Sequence, residues 1–314
     1  MQRPDVLVLG AGGTIGAAWM GGVLAGLAAE TGIDFAGTER IVGTSAGSMV
    51  AADLLAGVEP RAAGPASPGA PAEEDAGAMP LPRDTNEPLG ANGNGNGRLR
   101  ERVGRLGAGV AAVAGSSLAP LALSLGRAPG TLVRAAALGR IDAPERTLDD
   151  LGARISHHGL RFDGRLRVAC VNRARGRRVV FGAPGAPPAT VAEAVQASCS
   201  IPWVYRPVRI GEDDYVDGGV WSPTNMDAAP AGRETHLLCL APMAGPLGPR
   251  ERHPAVRAAT TAAIRLEMLA LRRRGAIVTV VVPEPESPDE HARVTGFRQG
   301  RVLARPSRER SSHT

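Results

Sequence analysis

The 314-residue chain contains no lysine, so all 36 basic side chains are arginine. Ala, Gly and Pro are abundant too, and a GC-rich gene accounts for the whole bias. Against 31 acidic residues the balance is +5, which modestly favours an anionic partner such as a membrane surface. Nucleic acid is not an expected partner. Aromatics make up only 3%, and there is neither a base-stacking series nor a zinc-finger spacing. Few aromatics also leave the core to Ala, Val, Leu and Ile. Cysteine is scarce as well: Cys170, Cys199 and Cys239 are far apart and odd in number. That excludes a disulfide framework and a metal-ligand pattern, and it fits a reducing compartment. The N-terminal apolar run is short and breaks into glycines, unlike a cleaved signal peptide, so a cytoplasmic location is expected.

The chain is long enough for one large domain or two small ones. Residues 5–9, 40–42, 166–172, 177–181, 214–216, 236–241 and 277–282 read as strands. Helices are expected at 17–29, 49–56, 147–156, 191–198 and 254–274. Continuous apolar strands alternating with helices predict an α/β fold, with a mostly parallel central sheet covered by helices on both faces. From about 57 to 97 the composition shifts to Pro, Gly, Ala, Glu and Asn, ending in GANGNGNG. It has almost no apolar periodicity and reads as a flexible insertion in a single domain spanning 1–314. Residues 106–125 carry no charge over about the length of a membrane span. Gly, Ser and Pro120 interrupt them, and three readings stay open: a buried or covering element, a lid, or a membrane span. Arg98, Arg102 and Arg105 just before share one helical face, either a solvated one or one that meets lipid phosphates.

Two motifs carry chemistry. The first is VLVLGAGGTIG, a strand ending in glycines before a helix. Such a cluster cradles a dinucleotide's phosphates or supplies backbone N–H groups to an oxyanion. The dinucleotide alternative is an oxidoreductase. Against it, Gly10, Gly12 and Gly16 are spaced G-x-G-x-x-x-G, which displaces the third glycine of that fingerprint. The second motif is IVGTSAGSM, where Gly43, Ser45 and Gly47 form G-x-S-x-G between a strand and a helix. A nucleophile elbow needs that context, although a plain helix cap at Ser45 would produce the same letters. A serine hydroxyl needs a base. His236, His253 and His291 follow Ser45 without a distinctive motif, and His157 and His158 look like surface residues. Ser45 also comes after too little chain for a histidine-dependent α/β-hydrolase. YVDGGVWSPTN places Asp217 at a strand end, before two glycines that permit a sharp turn and close backbone approach.

GAGGTIG, GTSAGS and DGG, in this order, resemble the patatin-like phospholipase family. SCSIPWVYRPV, SPTNMDAA and TGFRQGR are similar to it too, and only about 57–140 shows no likeness. The resemblance implies a three-layer α/β fold and a Ser–Asp dyad without histidine. Ser45 would be the nucleophile and Asp217 the proton acceptor. Gly12 and Gly13, with Ala11 beside them, would form the oxyanion hole. It further implies a lipid esterase or phospholipase A-like serine hydrolase active in lipid degradation. Acyl-ester lipid would be the substrate, membrane contact peripheral, and no metal or other cofactor required. Two positions depart from the family pattern: Ile15 stands where many members have a basic residue, and Ala11 where glycine is usual. A non-catalytic lipid-binding relative is therefore a third alternative.

Overall fold

The computed structural model describes residues 2–61, 130–247 and 254–284, together with a two-residue strand at Arg301–Val302. The expected insertion beyond residue 61, the uncharged 106–125 stretch with its preceding arginines, His253, His291 and most of TGFRQGR lie outside the described residues. No described helix is long and apolar enough to cross a membrane.

Strands β1 (Val6–Leu9), β2 (Arg40–Thr44), β3 (Leu166–Asn172), β7 (His236–Leu240) and β8 (Ile277–Val282) are all parallel, in the order β3-β2-β1-β7-β8. All four residues of β1 are buried because both of its faces are covered. One face carries Leu7, Leu9, Ile41 and Leu238 against helices α1 (Gly13–Thr31), α2 (Ala46–Leu55), α4 (Asp149–His157) and α5 (Val191–Cys199). The other face carries Val6, Val8, Val42 and Leu237 against helix α6 (Pro254–Arg273). Helix α3 (Gly130–Gly139) packs Leu138 on Val171 and Val216. The result is the expected three-layer α/β arrangement.

Local chemistry sets several element ends. Helix α1 stops at Gly32, whose φ of 69° is cheap only for glycine. Helix α5 starts at a capping box in which Thr190 and Glu193 each satisfy the other's backbone amide. Helix α6 opens on Pro254, whose missing N–H costs nothing at that position. Its buried stripe runs through Thr260, Ile264, Glu267, Met268 and Leu271, a helical spacing with one carboxylate in it.

The antiparallel strands lie at the flanks. β3 pairs with β4 (Arg177–Phe181) and with β6 (Asp213–Asp217), β5 (Val208–Ile210) pairs with β6, and β9 (Arg301–Val302) pairs with β8. Residues 168–172 of β3 give one edge to β4. β2 and β6 must therefore share the other edge. There Thr44 pairs with Ala169 and Asp217 with Cys170, one residue further along. Two strands running in opposite directions thus meet end to end on one rail.

Candidate active site

The meeting point is where the serine elbow and the Asp217 turn converge. β2 ends at Thr44, α2 begins at Ala46, and Ser45 between them has φ 51° and ψ −124°. For a residue with a Cβ, such a conformation costs about 1–3 kcal/mol and survives only where the surroundings enforce it. Here they do. The Ser45 amide donates to Ser198 Oγ at 2.9 Å, and Ser198 Oγ donates to the Ala169 carbonyl at 2.8 Å. The Ser45 carbonyl accepts from both the amide and the hydroxyl of Ser48, at 2.8 and 2.7 Å. Both flanking glycines are required by contact. A Cβ on Gly43 would lie 2.5 Å from Ser48 Cα, and one on Gly47 2.0 Å from the Leu9 carbonyl oxygen. That second approach also presses the start of α2 against the end of β1, where the glycine cluster begins.

Asp217 is fully buried at the end of β6. Gly218 follows it under the Ala169 carbonyl, at a place where a Cβ would come within 2.1 Å. Asp217 Oδ1 accepts from the Gly219 amide at 2.6 Å, and Oδ2 is buried with no hydrogen bond among the described residues. Burial pushes the carboxyl pKa up to about 7, with the Ser45 hydroxyl and the Gly219 amide opposing the rise. The hydroxyl is therefore near enough to act on the charge, yet no hydrogen bond joins Ser45 Oγ to Asp217 in this geometry.

The glycine cluster lies beside the elbow. The Gly10 amide donates to Leu240, at the end of β7. The amide of Ala11, expected beside Gly12 and Gly13, donates to the Pro223 carbonyl at 2.7 Å. The amides of Gly12 and Gly13 have no acceptor among the described residues, and they stand at the N-terminus of the 19-residue α1. Such a helix end attracts negative charge. Ile15 projects into solvent from the same turn, 84% exposed.

The described histidines do not gather here. His236 opens β7, at the end of the parallel sheet opposite Ser45, and His158 Nε2 lies 2.9 Å from Asp53 Oδ1. Far from being a plain surface residue, His158 ties α4 to α2. Glu30 and Asp34, the acidic residues in range for a dinucleotide site, also lie away from the elbow. They sit at the far end of α1 and in the turn before β2.

The family model for patatin-like phospholipase matches residues 7–230. The chain belongs to the patatin-like phospholipase family. Its patatin-like region thus includes both motifs and ends well before α6. Among solved structures, VipD from Legionella pneumophila is similar at 16% identity and a TM-score of 0.40, over 93% of this chain. The chain spans 64% of the length of that protein. No curated protein matches it.

Sequence reasoning missed three residues of this patatin-like site. Ser198 lies within SCSIP, and its hydroxyl carries the elbow. Asn225, at φ 49°, donates from Nδ2 to Thr44 Oγ1, Gly218 O and Ser222 O at 3.1, 3.2 and 2.8 Å. Glu267 reaches the same loop from α6. The family-like stretches SCSIP and SPTN were signals for the first two; Glu267 had only its place as a charge in an apolar helical stripe.

Proposed function

We propose that the protein hydrolyses acyl-ester lipids by two-step acyl transfer, with Ser45 as nucleophile and Asp217 as base. The observation that carries this reading is the enforced backbone of Ser45 at the point where β2 and the Asp217 end of β6 meet on β3. Asp217 Oδ2 accepts the Ser45 proton as Oγ attacks the ester carbonyl. The oxyanion forms against the Gly12 and Gly13 amides. On collapse, the carbonyl–oxygen bond to the leaving alcohol breaks, and the alcohol departs with the proton from Asp217. Water then gives a proton to Asp217 and attacks the acyl carbon. Ser45 Oγ leaves and regains its proton.

Each part has a physical rationale. A carboxyl with pKa about 7 is a stronger base than an ordinary aspartate and is about half ionised at neutral pH. Two preorganised amides at a helix N-terminus match the charge that develops, and one such donor is worth about 3–4 kcal/mol in the transition state. The chain acts as one catalytic unit on one sheet, in the cytoplasm, touching membranes only peripherally. Three free, buried cysteines suit that compartment.

The test is a fluorophosphonate probe on the protein and on its Ser45→Ala and Asp217→Asn variants, read by peptide mass spectrometry. Labelling at Ser45 that slows in Asp217→Asn supports the dyad. An unlabelled, folded protein that still binds lipid vesicles would instead identify a non-catalytic relative.

A further inference from the structure

The five-residue loop 222–226 touches a neighbour of every proposed catalytic group. Pro223 O accepts from Ala11, the residue before Gly12. Thr224 O accepts from the hydroxyl of Thr44, the residue before Ser45, at 3.3 Å. Asn225 Nδ2 donates to that hydroxyl and to the carbonyl of Gly218, the residue after Asp217. Oxyanion loop, nucleophile and base are therefore all registered against one segment.

From the opposite layer α6 holds that segment in two ways: Met226 packs among Ile264, Met268 and Leu271, and one buried carboxylate binds the polar groups of the loop. Glu267, 3% exposed in the buried stripe of α6, accepts three hydrogen bonds from it. Ser222 Oγ donates to Oε1 at 2.6 Å, Thr224 Oγ1 to Oε2 at 2.7 Å, and the Met226 amide to Oε2 at 3.0 Å. Placing a carboxylate in a core is costly, and an apolar side chain would continue the stripe at lower cost. Only an acceptor-only group meets all three donors. An amide fails in either orientation. With its NH2 toward Ser222, it faces an oxygen that already accepts from the Thr224 and Asn225 amides, at 3.3 and 3.1 Å, and the Ser222 proton loses its acceptor. With its NH2 toward Met226, one N–H faces another.

We propose that Glu267 is a positioning residue for acyl transfer, holding loop 222–226 so that the Gly12–Gly13 amides, Ser45 and Asp217 keep their mutual register. This role rests on the function proposed above. It assigns a part to α6, which lies beyond the residues matched by the family model.

The experiment compares wild type with Glu267→Gln and the milder Thr224→Val, well below their melting temperatures. kcat and KM on a short-chain ester, the rate of fluorophosphonate labelling at Ser45, and hydrogen exchange at the Ala11 amide are measured. Positioning predicts a kcat lowered about 10–100-fold in Glu267→Gln with KM within about threefold, because small displacements of oriented groups act on the transition state. Labelling slows in parallel and Ala11 exchanges faster. Thr224→Val, which loses one of the three bonds, moves the same quantities less, and it carries the comparison alone if Glu267→Gln does not fold. A lowered melting temperature with unchanged kcat and unchanged Ala11 exchange overturns the role and leaves Glu267 as a stabilising contact. Absence of Ser45 labelling in wild type removes the proposed function itself, and this role with it; an active wild type with unaffected variants removes the role alone.

Discussion

Replacing Asp217 by asparagine is expected to move activity and stability in opposite directions above neutral pH. Burial lifts the Asp217 pKa from 3.8 to about 7 in the folded protein. In the unfolded chain the group returns to the ordinary value. Between those two values the folded state holds a proton that the unfolded state has lost. Stability therefore falls as pH rises from about 4 to about 7 and is flat above. A rise from 3.8 to about 7 corresponds to about 4 kcal/mol lost across that window. Asparagine does not titrate, so Asp217→Asn escapes the loss. Its Oδ1 can still accept from Gly219, and the cost of a buried, unpaired amide group is independent of pH. The assay is urea unfolding of both proteins at pH 3.5, 5, 6.5 and 8, with the stability difference plotted against pH. Taking the difference cancels every other titrating group that the substitution leaves alone. The variant should gain about 4 kcal/mol on wild type between the ends of the series while losing turnover. Wild-type kcat/KM should fall tenfold per unit below an apparent pKa near 7. A stability difference that stays level with pH would refute the buried-carboxylate argument, and so would an acid limb near 4.

Two further predictions concern packing. Gly47→Ala drives a methyl into the Leu9 carbonyl and should cost roughly 3 kcal/mol or more, measured as a lower urea midpoint; a change under about 1 kcal/mol would show that β1 and α2 can separate without penalty. Cys170, Cys199 and Cys239 are all buried, and burial raises each thiol's pKa, helped by the charge of Asp217 on the first two and of Glu267 on the third. Native protein should leave Ellman's reagent unreacted at pH 8, and protein in urea should release three equivalents; prompt reaction of any thiol in the native state would contradict its burial.

Most of the central sheet was legible because its signal is local. VLVL, HLLCL and IVTVVV are continuous apolar runs, as strands covered on both faces must be. The elbow was legible for the same reason: strand, glycine, serine, glycine and helix are adjacent in sequence, and the close contact of Gly43 with Ser48 follows from that one turn, whereas Gly47 meets Leu9 of β1. Helix α3 and strand β5 were not anticipated. α3 reads GTLVRAAALG, short and framed by glycines, and three residues are too few for β5 to show a period. The antiparallel flanks were also unseen, since β5 and β9 are very short and β6 pairs with a β3 segment far away in the chain.

Sequence alone thus determined the types of chemistry present: a serine forced into a turn, a carboxylate before two glycines, and bare amides at a helix start. Each is a short-range property set by side-chain size, backbone freedom and residue type. Tertiary structure decided which of these groups share a site and which remain free to act. β3 places Thr44 and Asp217 at consecutive registers, burial lifts the Asp217 pKa to about 7, and the Pro223 carbonyl occupies the Ala11 amide. These outcomes depend on strand pairing, dielectric surroundings and hydrogen-bond competition between segments far apart in the chain, and those exist only once the layers have packed.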